Sequence, residues 1–162
     1  VKDFERVLSD LQNSRAEKQQ ALRFLVHFLQ DLHQPLHVGD TGSRGGNLAQ
    51  VRFFNLGTNL HRVWDSEIIE WHSKDEGTWL RELNALATPQ MAAAWSKGSP
   101  EDGATESLTE AKLAYRLPGT DILIASGTKL GEDYYRFALP IIQLRLAKSA
   151  VRLAATINRI FK

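Results

Sequence analysis

The five histidines of this chain mark its main candidate site for chemistry. They all lie between positions 27 and 72 of a 162-residue sequence, and no other part of the chain contains one. Histidine is a frequent ligand of divalent metals and also a general base near neutral pH. The segment is therefore predicted to hold a metal site or an acid–base site. Its histidines are His27, His33, His37, His61 and His72.

Two of these histidines are each followed, four positions later, by an aspartate. The pairs are His27 with Asp31 and His61 with Asp65. Positions four apart on a helix face the same side, about 5–6 Å apart, so each pair would offer a nitrogen and an oxygen donor to a metal. His37 would add a donor from a loop, and His37, His61 and Asp65 would form a three-ligand set. Catalytic zinc uses three protein ligands and keeps one position for water or substrate.

These residues also allow simpler interpretations. A histidine on an apolar helix is often a hydrogen-bonded core residue, and a His–Asp pair at this spacing can be a surface ion pair. The apolar surroundings of Asp31 favour a partner for its carboxylate, because burying an unpaired charge is costly. His33 lies about 200° around the helix from Asp31, so it is not expected to bind the same metal as Asp31. It is expected instead to support the ligands or to interact with the end of the helix. His72, beside Trp71, is expected to be structural.

The elements that position these residues are predicted to be mostly helices. The Ser14-x-x-Glu17 sequence is a capping-box signature for a helix that runs to about Leu32. Its apolar run over 21–29 predicts a central, buried helix, and Pro35 is expected to end it. The other expected elements are a glycine-rich loop over 39–47, a strand over 51–54 with a turn over 55–57, a helix over about 59–71, a helix capped by Ser73 to about 87, helices that begin at Pro89 and Pro100, and a last helix over about 131–160 with a kink at Pro140.

Composition limits the class of protein. A chain of 162 residues that is 43% hydrophobic and 24% charged fits one folded domain over 1–162 and argues against disorder. The net charge of +1 does not indicate any class of binding partner. The absence of cysteine excludes disulfides and thiolate metal sites. No apolar run approaches the ~20 residues of a membrane span. In the last helix, Arg145, Lys148 and Arg152 recur at helical spacing, which predicts a solvated face and not a nucleic-acid surface.

The glycine-rich loop does not match a known phosphate-binding motif. Residues 39–46 (GDTGSRGG) lack the Gly-Lys-Ser/Thr ending of a P-loop, and no strand precedes them with the spacing of a dinucleotide-binding fold. Its glycines are expected to allow a sharp turn or a close approach of the backbone to a ligand.

Three segments together resemble the S1/P1 nucleases, zinc-dependent enzymes related in fold to bacterial zinc phospholipase C. They are 27–37 (HFLQDLHQPLH), 44–47 (RGGN) and 59–65 (NLHRVWD), and the run 139–161 is similar to the last helix of the family. The resemblance covers essentially the whole chain. It implies a mostly α-helical phospholipase C/P1 nuclease-like fold with a short β-hairpin, truncated at the N-terminus relative to the family.

The resemblance further implies a cluster of three zinc ions. His27 and Asp31 would bind the first zinc. Asp31 would also bridge to the third zinc and is the predicted catalytic residue. His37, His61 and Asp65 would bind the second zinc. Because family ligands that precede this segment are absent, one complete zinc site out of three is expected in this chain. The predicted substrate-binding residues, which would line a nucleotide pocket, are Arg44, Gly45, Gly46 and Asn47.

The activity implied by the resemblance is that of a zinc-dependent endonuclease. It would hydrolyse phosphodiester bonds of single-stranded DNA and RNA to 5′-mononucleotides, with 3′-nucleotidase activity in many members. The expected partners are single-stranded nucleic acid or nucleotides and a missing N-terminal segment of the same protein, in a secreted or periplasmic location. Two alternatives stay open: a zinc phospholipase C, which carries Glu where Asp65 stands, and a non-catalytic helical domain with one structural zinc. The Trp64–Asp65 pair favours the nuclease.

Overall fold

The computed structural model describes residues 1–162 and is dominated by helices. This confirms the mostly α-helical class with a short hairpin. None of the helices combines the length and the apolar character that a bilayer span requires. The elements in chain order are α1 (Lys2–Ser9), α2 (Arg15–Asp31), α3 (Pro35–Val38), β1 (Gln50–Phe53), β2 (Leu56–Asn59), α4 (Leu60–Arg62), a π-helical turn (Val63–Glu67), α5 (Ile68–His72), α6 (Glu76–Leu86), α7 (Pro89–Trp95), α8 (Pro100–Ala114), β3 (Lys129–Leu130) and α9 (Glu132–Ile160).

The helix starts follow local capping chemistry. The capping box of α2 is formed, because Ser14 accepts from the backbone N–H of Glu17 while the Glu17 carboxylate accepts from the N–H of Ser14. Prolines occupy the first positions of α7 and α8, as predicted. The predicted cap of α6 was wrong. Asp75, and not Ser73, accepts from the first free N–H groups of that helix, since a carboxylate at this position reaches two of them.

The burial of α2 differs from the prediction of a central helix. Leu25 and Leu29 are buried, but Phe24 and Phe28 are 40% and 42% exposed. The short helix α1, which was not predicted, places Phe4 in stacked contact with both of these rings. The helix ends at Asp31 with Leu32 as its C-cap, as predicted, and Pro35 begins the short helix α3, which was not predicted.

A small sheet lies beside the helices. Strands β1 and β2 form the predicted hairpin, with a two-residue turn at Phe54 and Asn55 that lies one position before the expected one. The two-residue strand β3 adds a parallel partner on the other side of β1, giving the order β2-β1-β3. The last helix runs without interruption past Pro140, and the kink expected at this residue stays a prediction.

The main core joins the sheet, the π turn, α8 and α9. Trp64 is 2% exposed, and its indole N–H donates to the hydroxyl of Tyr134 at 2.8 Å. Tyr134 in turn donates to the carbonyl of Ala114 at 2.5 Å. Because one turn of α9 and the end of α8 thus hold Trp64, the neighbouring residue Asp65 has a fixed backbone position. Other buried members of this core are Leu36, Val51, Phe53, Leu60, Val63, Ile68, Leu130, Ala138 and Ile142.

The predicted solvated basic face of α9 was wrong. Arg145 and Arg152 are only 3% and 5% exposed. Both contact the carboxylate of Glu106 on α8, and Lys148 lies 3.2 Å from the same group. The remaining N–H groups of Arg145 bind the carbonyls of His33 and Gly103, so each buried guanidinium is satisfied. Helical spacing could not distinguish this burial from exposure, because the partner carboxylate comes from another helix.

Candidate metal centre

Three elements bring the predicted ligands together. The C-terminal half of α2 carries His27 and Asp31, and α3, which begins four residues after α2 ends, carries His37. The continuous helical segment from α4 through the π turn to α5 carries His61 and Asp65. The imidazole of His37 lies 3.4 Å from both Asp31 and Asp65, so this histidine connects the two predicted pairs.

The five side chains form one continuous row of alternating imidazoles and carboxylates. The Nε2 atom of His27 lies 3.4 Å from Asp31 Oδ2, and Asp31 Oδ1 lies 3.4 Å from His37 Nδ1. The other nitrogen of His37 lies 3.4 Å from Asp65 Oδ1, and Asp65 Oδ2 lies 3.2 Å from His61 Nε2. Each carboxylate therefore stands between two histidines, and His37 stands between the two carboxylates.

The second half of this row is the more compact. Donor atoms of His37, His61 and Asp65 all lie within 4.8 Å of one another. The side chains of His37 and His61 are 25% and 20% exposed, and that of Asp65 is 37% exposed. The two imidazole rings stack with their centroids 5.0 Å apart. The cluster is thus partly buried and retains access from solvent.

The π turn lies at the compact half of the row. His61 is in the last α-helical turn before it, and Asp65 is its central residue. A π turn adds a residue to a helical turn and is frequent at functional sites. Asn59 accepts from the N–H of Arg62 and caps the start of this segment. Sequence spacing predicted the His61–Asp65 pair but not the change of helix type.

Two supporting groups were not predicted. The amide of Gln34 donates to Asp65 Oδ1 at 2.8 Å, while its oxygen accepts from the N–H of Leu36 and so caps α3. The carbonyl of Gly45 lies 2.7 Å from His61 Nδ1. Proline is common at a first helical position, so Pro35 was a signal for the start of α3, but nothing in residue type reveals the Gln34 cap or a carbonyl acceptor.

The electrostatics of the centre favour a cation. A hydrogen-bonding contact with Asp65 raises the pKa of His37 above its ordinary value. Partial burial lowers this pKa, but the negative charges of Asp65 and Asp31 raise it further. The contact with His37 is the main cause that lowers the pKa of Asp65, and the hydrogen bond from Gln34 adds to it. The carboxylates thus stabilise positive charge between them.

The loop predicted to bind substrate lies at the edge of this centre. Arg44 is exposed and has a φ of 54°, and Gly45 and Gly46 also have positive φ. The side chain of Asn47 donates to the carbonyl of Arg44 at 2.9 Å, within the loop. The structure therefore places this loop against His61, while nucleotide binding by its residues stays a prediction.

The other two histidines lie away from the row. His33 is 3% exposed, with Nδ1 2.8 Å from the carbonyl of Leu29 and Nε2 3.0 Å from a guanidinium nitrogen of Arg152. Burial lowers the pKa of His33 to about 4. His72 lies between the hydroxyl of Tyr135 and the carboxylate of Glu82. The ring nitrogens of both side chains are therefore engaged with groups outside the row.

The donor set fits a zinc ion. Two imidazoles and one carboxylate are the nitrogen and oxygen ligands that catalytic zinc sites use, with one position left open. Ligand histidines commonly donate their second N–H to a backbone carbonyl, and ligand carboxylates accept hydrogen bonds of their own. Gly45 and Gln34 supply these two interactions. The zinc itself stays a prediction for this chain.

The whole chain is similar in sequence to known nucleases. It is 41% identical over 157 residues to Endonuclease 4 of Arabidopsis thaliana, covering 88% of this chain and 50% of that protein. It is 38% identical to Endonuclease 3 of the same plant, over 88% of this chain and 51% of the relative. It is 32% identical to Nuclease P1 of Penicillium citrinum, over 99% of this chain and 64% of that protein. The chain thus spans about half the length of the plant relatives. The family model described as S1/P1 Nuclease matches residues 1–162, and the chain therefore belongs to the S1/P1 nuclease family.

Proposed function

We propose that the protein containing this chain is a zinc-dependent endonuclease that hydrolyses phosphodiester bonds of single-stranded DNA and RNA to 5′-mononucleotides. Removal of 3′-phosphates from nucleotides is proposed as a second activity. The observation that carries the proposal is the convergence of His37, His61 and Asp65 within 4.8 Å, in a chain that belongs to a nuclease family. Phosphodiester cleavage needs positive charge near the phosphate, and this donor set suits a divalent cation.

Each residue of the row has a proposed role. A bound zinc would supply Lewis acidity towards the phosphate group. His37, His61 and Asp65 would hold one such ion, and two ligands of another would be His27 and Asp31. The two oxygens of Asp31 point in different directions, one towards His27 and the other towards His37. We propose that this carboxylate is shared between the first and the third zinc and takes the catalytic role.

The loop of residues 44–47 would bind the nucleotide. Arg44 is exposed beside the centre, so its guanidinium can pair with a substrate phosphate. The neighbouring residues would let the nucleotide come close to the loop, since two of them have no side chain. We place Gly45, Gly46 and Asn47 in this second role.

The activity belongs to the whole protein. This chain spans 50% to 64% of the relatives compared above. We propose that the remaining ligands of the three zincs come from residues of the same protein outside this sequence, and that cleavage of nucleic acid requires them. A secreted or periplasmic location is part of the same proposal.

Zinc content is the first test of the metal site. We expect His61→Ala to lower the zinc retained after a chelator wash by about one ion per chain, because a three-ligand site loses one of its imidazoles. The matched control is His72→Ala, which removes a histidine outside the row and should leave the zinc content unchanged. An unaltered zinc count in His61→Ala, measured by elemental analysis, would remove the assignment.

Substrate class is tested on the protein with its full natural sequence. We expect release of 5′-mononucleotides from single-stranded DNA and RNA, and no hydrolysis of a choline phospholipid. Hydrolysis of the phospholipid would identify a phospholipase C instead. Bound zinc that raises the melting temperature, with neither substrate cleaved, would mean that the zinc is structural.

A further inference from the structure

The peptide unit between Gly45 and Gly46 lies directly against His61. Its carbonyl oxygen is 2.7 Å from His61 Nδ1. Its N–H donates to Ser43 Oγ at 3.0 Å on the opposite side. A carbonyl oxygen can only accept, so the hydrogen of this bond must reside on His61 Nδ1. The neutral imidazole then carries its lone pair on Nε2, the atom that faces Asp65 at 3.2 Å.

The surrounding loop fixes this peptide in place. One oxygen of Asp40 accepts from the N–H of Ser43 at 2.9 Å and from that of Gly45 at 3.0 Å. The hydroxyl of Tyr115, from the end of α8, donates to the carbonyl of Gly39 at the start of the loop. The loop is therefore held from both sides, and its carbonyl presents a rigid acceptor to the imidazole.

Only glycine fits at position 45. Its φ is +63°, a conformation that other residues adopt at a cost. A Cβ atom at this position would lie 2.6 Å from the backbone oxygen of Leu36, which cannot move away as a flexible side chain would. A side chain at this position would therefore displace the carbonyl from His61.

We propose that the Gly45–Gly46 peptide is a positioning element that holds His61 in its Nδ1–H tautomer and so reserves Nε2 for the metal. The inference rests on the proposed zinc site and gives the glycine-rich loop a role beyond contact with substrate. The loop sets both the orientation and the basicity of a ligand, through a bond on the ring nitrogen remote from the metal.

A pair of glycine substitutions in the same loop tests the inference. Gly45→Ala should weaken Zn²⁺ or Co²⁺ binding to the chain about 10-fold or more, which is the effect typical of losing a partner of a ligand histidine. Gly42→Ala is the matched control. Gly42 has a φ of +83°, and a Cβ atom at this position would have no other atom within 4 Å, so this variant carries the same kind of backbone strain without touching His61. Equal metal affinities for the two variants would overturn the proposal.

The tautomer gives a readout that needs no metal and no activity. In the metal-free chain at alkaline pH, long-range ¹H–¹⁵N NMR should show His61 with its proton on Nδ1. The same spectrum of Gly45→Ala should show a mixture of both tautomers. A proton on Nε2 in the unsubstituted chain would refute the inference even if zinc binds. Absence of zinc binding with the Nδ1–H tautomer present would instead refute only the proposed function.

A milder variant covers the case in which Gly45→Ala does not fold. Ser43→Ala removes the acceptor of the Gly46 N–H and introduces no new atoms. We expect a several-fold loss of Co²⁺ affinity and an altered visible spectrum of the bound Co²⁺, with circular dichroism unchanged. An affinity and a spectrum identical to those of the unsubstituted chain would show that the peptide does not position His61.

Discussion

At the scale of single residues, Gln34 has two partners that belong to different elements. Its oxygen caps the short helix that carries His37, and its amide donates to the carboxylate of Asp65. One side chain therefore fixes the relative position of two proposed ligands that lie far apart in sequence. A glutamate at this position would keep the cap but would place a second negative charge against Asp65.

Replacing Gln34 tests this coupling. Gln34→Ala should cost about 1 kcal/mol of unfolding free energy through the lost cap and should weaken zinc binding about 10-fold through the freed carboxylate. Denaturant titration and zinc competition measure the two effects separately. The control is Gln30→Ala, an exposed glutamine on α2, for which neither quantity should change. Unaltered zinc affinity in Gln34→Ala would mean that Asp65 is oriented by its own backbone alone.

At the scale of elements, a buried ionic network fixes the end of α2. Glu106 of α8 accepts from Arg145 and Arg152 of α9, and Arg145 also donates to the carbonyl of His33, two residues past the end of α2. The hydroxyl of Ser107 donates to the carbonyl of Leu32 at 2.6 Å. Two helices from the second half of the chain thus bind the carbonyls of Leu32 and His33, directly after the helix that carries His27 and Asp31.

Removal of the shared carboxylate should be costly. Glu106→Gln leaves two buried guanidinium groups without a counter-charge, so we expect a loss of about 3 kcal/mol of unfolding free energy. Glu110→Gln, one turn further along α8, should lose under about 0.5 kcal/mol. Urea unfolding followed by circular dichroism compares the two variants. Equal stabilities would show that Glu106 is dispensable to the network.

These elements are predictable from the sequence where the signal is local. The capping box at Ser14, the proline starts of α7 and α8 and the His–Asp spacings need only neighbouring residues. The two-residue strand β3 and the burial of Arg145 depend on partners from distant parts of the chain. The candidate site likewise combines features that neighbouring residues reveal with features that depend on distant parts of the chain. Its five donors were predicted from residue type and spacing, whereas the Gly45 carbonyl is a backbone group that any residue carries.

At the scale of the whole molecule, the ionic network makes stability depend on pH. Glu106 is partly buried, which raises its pKa, but hydrogen bonds from Arg152 and Arg145 outweigh this and lower the pKa to about 2. A carboxyl with a lowered pKa in the folded state stabilises the fold above its unfolded pKa of 4.5. That contribution is lost as the pH falls from about 4.5 towards 2.

The pH dependence can be isolated by difference. The gap in unfolding free energy between the unsubstituted chain and Glu106→Gln should be constant above pH 5 and should shrink steadily below about pH 4.5. Urea unfolding at a series of pH values between 7 and 3 measures it. A gap that stays the same down to pH 3 would contradict the assigned protonation of Glu106. A gap that widens in acid would do so as well.

The contact between Arg145 and the carbonyl of His33 joins residues 112 positions apart. During synthesis, all five histidines leave the ribosome well before the arginine that braces the helix end beside them. The nascent chain therefore contains all the proposed ligand residues long before the contacts that hold them in place can form. Closing so long a loop costs conformational entropy before the contacts between its ends can stabilise the fold. The centre should therefore acquire tight metal binding only late in folding, after α9 has docked.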